Sequence, residues 1–243
     1  MSDLVGAAGA APGAAPSALG SPWGGSRRSF LRTAAAAGAA LALPAALSGC
    51  HVLGAAGRRK LDFGDDFGVL NYAYALETLE ADFYTQVVHN PPRDLRPGEL
   101  EVLRDIAEHE RQHQAFFKRA LQVLRVELPP RDFRSVNMGS RDAVLAQART
   151  FEDLGVGAYN GAGQRLRLAE FLTIAGKIVS VEARHASAIR DLIEPGSRSF
   201  AGDDVVDANG LDRAYEPGYV LDQAQPFFRG RLRIANYEAP AHA

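Results

Sequence analysis

The 243-residue chain has one cysteine, one tryptophan and two methionines. With Cys50 alone, no disulfide can close within the chain. No apolar run reaches the roughly 18–20 uninterrupted residues that a spanning helix needs. The formal charge is −2, and no basic stripe of the kind that binds nucleic acid is present. Charge is itself scarce in the first 49 residues, where only Asp3, Arg27, Arg28 and Arg32 interrupt a run of Ala, Gly, Pro and Ser. Such a composition cannot bury enough apolar surface to offset the entropy of ordering the chain. Taking those four residues from the totals of 27 basic and 29 acidic side chains leaves the remainder at a formal −4. Residues 50–243 are long enough for one domain with a real core.

Residues 1–49 read as a cleaved export leader. The segment Ser26-Arg27-Arg28-Ser29-Phe30-Leu31, followed by the mild apolar run from Thr33 to Leu47, resembles a twin-arginine signal, whose pathway moves folded proteins. The end of that run, Leu47-Ser48-Gly49-Cys50, resembles a bacterial lipobox. This resemblance implies cleavage before Cys50 and lipid attachment to its sulfur; ordinary cleavage nearby, leaving an idle thiol, is the alternative. Two or more acyl chains would hold the protein firmly to a membrane. The expected location is therefore the cell envelope, periplasm or outer surface, with residues 50–65 as anchor and tether.

Four long segments with helical periodicity follow. The first runs from about Asp66 to His89 and is stopped by Asn90-Pro91-Pro92, since consecutive prolines cannot continue a helix. The second runs from Pro97, suited to a first helical position, to about Glu127, where Leu128-Pro129-Pro130 ends it. The third opens after Ser140 as N-cap and reaches about Gly161; the fourth covers Leu166 to Ile193, before Pro195-Gly196. Residues 196–243 form an extension packing on the bundle, with one short helix near Pro217 to Phe227. No strand-like alternation is evident, so the chain reads as all-α. The first and third links are short, making helices one and two, and three and four, antiparallel neighbours. The middle link, about residues 128–140, can span about 43–47 Å when extended. Helices two and three can then run parallel, joined by one long crossover. The bundle itself occupies residues 66–195.

The buried seams carry the chemistry. In helix two, Leu103, Ile106, Glu110, His113, Phe117 and Leu124 recur at helical spacing; in helix four, Ala175, Ile178, Glu182, His185 and Ile189 do the same. Each apolar stripe is broken by Glu-x-x-His, which puts a carboxylate and an imidazole one turn apart on one face. An ionised carboxylate in a helix core is costly unless paired or bound to metal. Helix one carries Glu77 on a seam with Leu70, Tyr74, Ala81 and Tyr84, and helix three carries Glu152 among Ala148, Phe151, Gly155 and Tyr159. One Glu from each of two helices plus Glu-x-x-His from each of the other two makes a di-metal carboxylate site. Four carboxylates balance two divalent cations, with the imidazoles neutral. Such oxygen-rich ligation suits iron first and manganese next, rather than zinc.

The order Glu…Glu-x-x-His…Glu…Glu-x-x-His, in LNYAYALETLEADFY, IAEHERQHQAFF, FEDLGVGAYNGA and VSVEARHASAIR, resembles the ferritin-like superfamily. Its desiccation-related branch of exported bacterial proteins is the nearest in character. The resemblance implies a ferritin-like four-helix bundle and two metal ions held by Glu77, Glu110, His113, Glu152, Glu182 and His185. Glu80, one turn beyond Glu77, is the alternative first ligand. Tyr84 and Tyr159 face the same core as candidate hydrogen-bond or electron donors, or as ordinary packing. Asp153 is expected to face solvent. His51, His89, His109 and His242 lie off the seams and are expected to be exposed, without a ligand role. Gly155 and Gly157 are expected to let helix three approach its neighbours.

The implied function is Fe(II) oxidation or peroxide removal in protection against drying or oxidative stress. Dioxygen, peroxide and Fe(II) are the small-molecule partners, and the membrane is met through the lipid anchor. An anchored chain fits poorly with a closed iron-storing shell, so storage is not carried over. A metal-sequestering protein without turnover and a structural envelope lipoprotein are the alternatives.

Overall fold

The computed structural model describes residues 60–237; the leader with Arg27 and Arg28, Cys50, and the histidines His51 and His242 lie outside the described residues. Four helices form the bundle: α1 (Asp66–His89), α2 (Glu99–Leu121), α3 (Arg141–Gly163) and α4 (Ala169–Ile193). A short helix α5 (Pro217–Ala224) follows in the C-terminal extension. Two three-residue strands, β1 (Lys60–Asp62) and β2 (Arg233–Ala235), pair in parallel. Thus the all-α bundle is closed by a small strand pair that sequence periodicity does not reveal. Among the described residues no helix is long and apolar enough to cross a membrane.

Helix starts follow their local chemistry. Asp65 caps α1, its carboxylate accepting from the Gly68 N–H at 3.0 Å, and Ser140 caps α3 by accepting from Ala143. The Asp66 carboxylate reaches across to accept from the backbone N–H groups of Arg167 and Leu168. That ties the N-terminus of α1 to the start of α4 and delays α4 to Ala169 rather than Leu166. Helix α2 begins at Glu99, not Pro97, because Gly98 is left-handed at φ 86°. It ends at Leu121 with a 3-10 turn to Leu124, short of Glu127. The Asn71 side chain bonds the Leu124 carbonyl at 3.0 Å and the Val126 N–H at 2.8 Å, drawing that segment onto α1.

From there the chain crosses the length of the bundle. Arg131 pairs with Asp82 of α1 at 2.5 Å, and Phe133 packs edge-on against Phe83 and Phe151. The crossover finishes where Arg141, 6 % exposed, clamps Glu99 at the start of α2 and donates to the Leu192 carbonyl at the end of α4. Helices α2 and α3 are therefore parallel, as a long crossover requires.

The extension folds back over α3 and α4. Arg190, 2 % exposed, pairs with Asp153 at 2.7 Å and with Asp204 at 2.8 Å, so Asp153 pairs across to α4 rather than facing solvent, and Asp204 brings the extension to the same guanidinium. Tyr215 lies directly on α3: its N–H bonds the Gly157 carbonyl at 2.8 Å. A Cβ at Gly157 would strike the Tyr215 ring, and one at Gly161 its backbone. Gly157 thus admits the extension, not a neighbouring helix.

Replacing Gly161 by Ala should destabilise the protein by about 1–3 kcal/mol through overpacking. Gly176→Ala, on the exposed face of α4 with nothing within 4 Å of a new Cβ, should stabilise it by about 0.5–1 kcal/mol. Urea unfolding of both variants measures the contrast.

Candidate metal centre

Each bundle helix delivers acidic groups to one level of the core. Helix α1 brings Glu77 and Glu80, α2 brings Glu110 and His113, α3 brings Glu152, and α4 brings Glu182 and His185. Glu77, Glu110, Glu152 and Glu182 are all 0 % exposed. Two sets of four converge, each with ligand atoms within 4.8 Å of one another: Glu77, Glu110, His113 and Glu182, and then Glu110, Glu152, Glu182 and His185. Glu110 and Glu182 belong to both sets. Glu77 with His113 and Glu152 with His185 form the two flanks, an arrangement of near two-fold symmetry.

The imidazoles present Nδ1 to this cluster. His113 Nδ1 lies 3.2 Å from Glu77 and 3.0 Å from Glu182; His185 Nδ1 lies 2.9 Å from Glu110 and 3.4 Å from Glu152. Close as they are, none of these contacts is aligned as a hydrogen bond. Both Nδ1 atoms, both oxygens of Glu110 and Glu182, and one oxygen each of Glu77 and Glu152 are buried without a hydrogen-bond partner. Unpaired buried polar atoms are costly. Here they gather within 4.8 Å of one another in each set, so the donor set fits bound metal.

The outer oxygens of the flanking carboxylates are satisfied. Tyr84 donates to Glu152 at 2.5 Å, and Tyr159 donates to Glu77. Each tyrosine leaves the second oxygen of its carboxylate facing inward. Tyr159 also lines an apolar cavity of about 20 Å³ with Leu70, Ala73, Phe117 and Phe171. Room of that size holds about one water-sized molecule.

Glu77 and Glu80 are both buried at the cluster. Glu77 stands in a four-ligand set and Glu80 does not. Glu80 is nevertheless 4 % exposed, and it reaches the cluster past Gly155, where a Cβ would lie 3.1 Å from Glu80 Oε1 and 3.5 Å from Glu182 Oε2. Gly155 therefore makes room for a carboxyl group. His109 is exposed, as expected, and belongs to neither four-ligand set, yet its Nδ1 sits 3.0 Å from His185 Nε2.

Electrostatics follow from packing five carboxyls into one dry core. Burial pushes Glu77 up to about 7 against the pull of His113. Burial also raises Glu152, and it carries Glu80 and Glu182 well above the carboxylate range, the neighbouring carboxylates adding to the effect at Glu80 and Glu182. Glu110 is the exception: burial would raise it, but the His113 and His185 imidazoles outweigh that and hold it down to about 2. Burial opposes charge on the imidazoles, but the surrounding carboxylates win, taking His185 up to about 11 and His113 higher still.

The sequence profile of the ferritin-like domain family matches residues 65–195, a stretch that contains α1 to α4 and every residue of the cluster. No curated protein matches the chain.

For the metal-free protein these directions fix a pH dependence. Glu77, Glu152, His113 and His185 bind protons more tightly when folded. Their contribution is full below the unfolded values and is lost as pH rises through the folded ones. Glu110 acts oppositely, losing its contribution as pH falls through about 2. Stability of chelator-treated protein should therefore rise as pH is lowered from about 8 to about 5.5, between the histidine and carboxylate reference values. Thermal melts across that range measure it, and a flat or inverted profile would contradict the clustering.

Proposed function

Because this chain belongs to the ferritin-like domain family, we propose that its core holds two divalent transition-metal ions, iron by preference and manganese next, for oxidation chemistry. The observation that carries the reading is the pair of four-ligand sets sharing Glu110 and Glu182. Two shared carboxylates can hold two ions side by side, each with one imidazole and one flanking carboxylate. Oxygen-rich ligation with a single nitrogen suits iron or manganese better than zinc. Bound there, two Fe(II) or Mn(II) ions would supply two electrons together, enough to reduce dioxygen to peroxide or peroxide to two waters with uptake of two protons.

The chain's own residues shape that chemistry. Glu77 and Glu152 are oriented by Tyr159 and Tyr84, whose hydroxyls remain protonated because burial and the adjacent carboxylates raise them. Complete burial of the four core carboxylates excludes bulk water. Glu80, with burial and four neighbouring carboxylates all favouring its neutral form, leaves the four-to-four charge balance intact.

The physiological reading is removal of Fe(II) or peroxide in the cell envelope during drying or oxidative stress. It draws on the twin-arginine and lipobox resemblances of Arg27, Arg28 and Cys50. Substituting both arginines with Lys should trap a full-length precursor in the cytoplasm. Cys50→Ser should release the folded protein from membranes; unchanged fractionation of that variant would remove the lipid anchor from the account.

The chemistry has its own test. Purified protein should carry close to two transition-metal ions, and chelation should lower its thermal midpoint, removing about 2.7 kcal/mol of stability per site where metal had stood at a hundredfold excess over Kd. Fe(II) added in air should be oxidised faster than in buffer. Glu182→Ala should abolish the enhancement, since it removes a ligand shared by both positions, while Glu80→Ala should keep most of it. Two ions bound with no enhancement would leave sequestration as the function. No metal and no response to chelator would overturn the reading.

A further inference from the structure

Among the described residues, His109 is the one imidazole that touches the centre from outside it. It lies on the exposed edge of α2, beside Glu110, and its Nδ1 is 3.0 Å from Nε2 of the buried His185 on α4. The two ring planes are within 7° of parallel and their centroids are 5.2 Å apart. That separation is close to the sum of the N···N distance and two ring radii, the largest value this contact allows. The N···N line therefore runs along both ring planes, and the rings meet edge to edge as an aligned N–H···N hydrogen bond demands. Face-to-face stacking would not bring the two nitrogens into line in this way.

The direction of the bond is fixed by what His185 does on its other side. Its Nδ1 faces the cluster, near Glu110 and Glu152. A metal-binding imidazole offers a lone pair on one nitrogen and carries its proton on the other. With Nδ1 as ligand atom, Nε2–H is the donor, and His109 Nδ1 must accept. His113 lacks this support. It offers Nδ1 to the other half of the cluster, its side chain is 13 % exposed, and among the described residues none pairs with its Nε2. The two halves share Glu110 and Glu182 and differ in how their imidazoles are held.

We propose that His109 is a positioning residue for His185, and that it makes the Glu152–His185 half of the centre the tighter of two unequal metal positions. The proposal rests on the two-ion reading above and adds an order of filling. Outer-shell partners of a ligating histidine fix its tautomer and ring orientation, and their loss typically weakens metal binding by about 10–100-fold. The ion at the Glu152–His185 position is thus the resident one. The ion at the Glu77–His113 position, beside the more open imidazole, is the one that exchanges.

Cobalt(II) titration of the metal-free full chain tests this, followed by its visible absorption and by calorimetry, because Co(II) binds such sites without turnover. Wild type should take up two ions in two steps. In His109→Ala the tighter step should weaken by about 10–100-fold while the weaker step stays in place. His109→Asn, which sets an oxygen acceptor where Nδ1 was, should recover most of the loss. Both steps unchanged in the Ala variant, both weakened equally, or no rescue by Asn would overturn the proposal. A wild type that binds no cobalt would instead sink the metal-centre reading, and the proposal with it. Nitrogen-15 NMR of metal-free protein gives a readout independent of metal: His109 should carry its proton on Nε2, and a proton on its Nδ1 would contradict the proposal.

Discussion

Repulsion among five carboxyl groups, drawn from all four helices into one water-excluded level of the bundle, constrains everything around them. Like charges at such separations interact strongly when water cannot screen them. The fold manages this in three ways. Two imidazoles stand between the acidic groups, two tyrosine hydroxyls cap the flanking carboxylates, and Glu80 sits where its neutral form is favoured. What the protein's own atoms leave unsatisfied is a set of inward lone pairs, and cations complete that set most directly.

Rigidity elsewhere serves the same end. Ligands from four helices hold a common geometry only if the helices cannot slide. Asp66 locks α1 to the start of α4, Arg141 locks the end of the crossover to α2 and α4, and Arg190 locks the extension to α3 and α4. These buried guanidinium pairs are bidentate or multiply bonded, the geometry in which arginine is most specific. Breaking any of them would leave a charge stranded in the interior. Their contribution is to register more than to net stability.

Much of this was legible in the sequence. The Glu-x-x-His interruptions of two apolar seams pointed to the core positions of Glu110, His113, Glu182 and His185, and the prolines marked the crossover. Glu80 stays open as an alternative to Glu77 because α1 is buried continuously from Gly68 to Ala81. With α2, α3 and β1 all packed on it, it has no polar face to set the phase. His109 escaped because its partner comes from another helix, 76 residues away, while its own position on α2 is exposed. The strands are three residues each, too short to alternate, and come from opposite ends of the described chain. Gly157 suggested helix contact, yet the residue filling its notch, Tyr215, lies in a segment without periodicity.

The central claim is that two metal ions sit between Glu110 and Glu182. Anomalous diffraction from crystals of protein purified with its metal, at the iron and manganese edges, addresses it directly. The account predicts two peaks about 3.5–4 Å apart, as in other two-metal sites, one beside His113 Nδ1 and one beside His185 Nδ1. A bundle core without anomalous signal, or with a single peak away from the shared carboxylates, would contradict it.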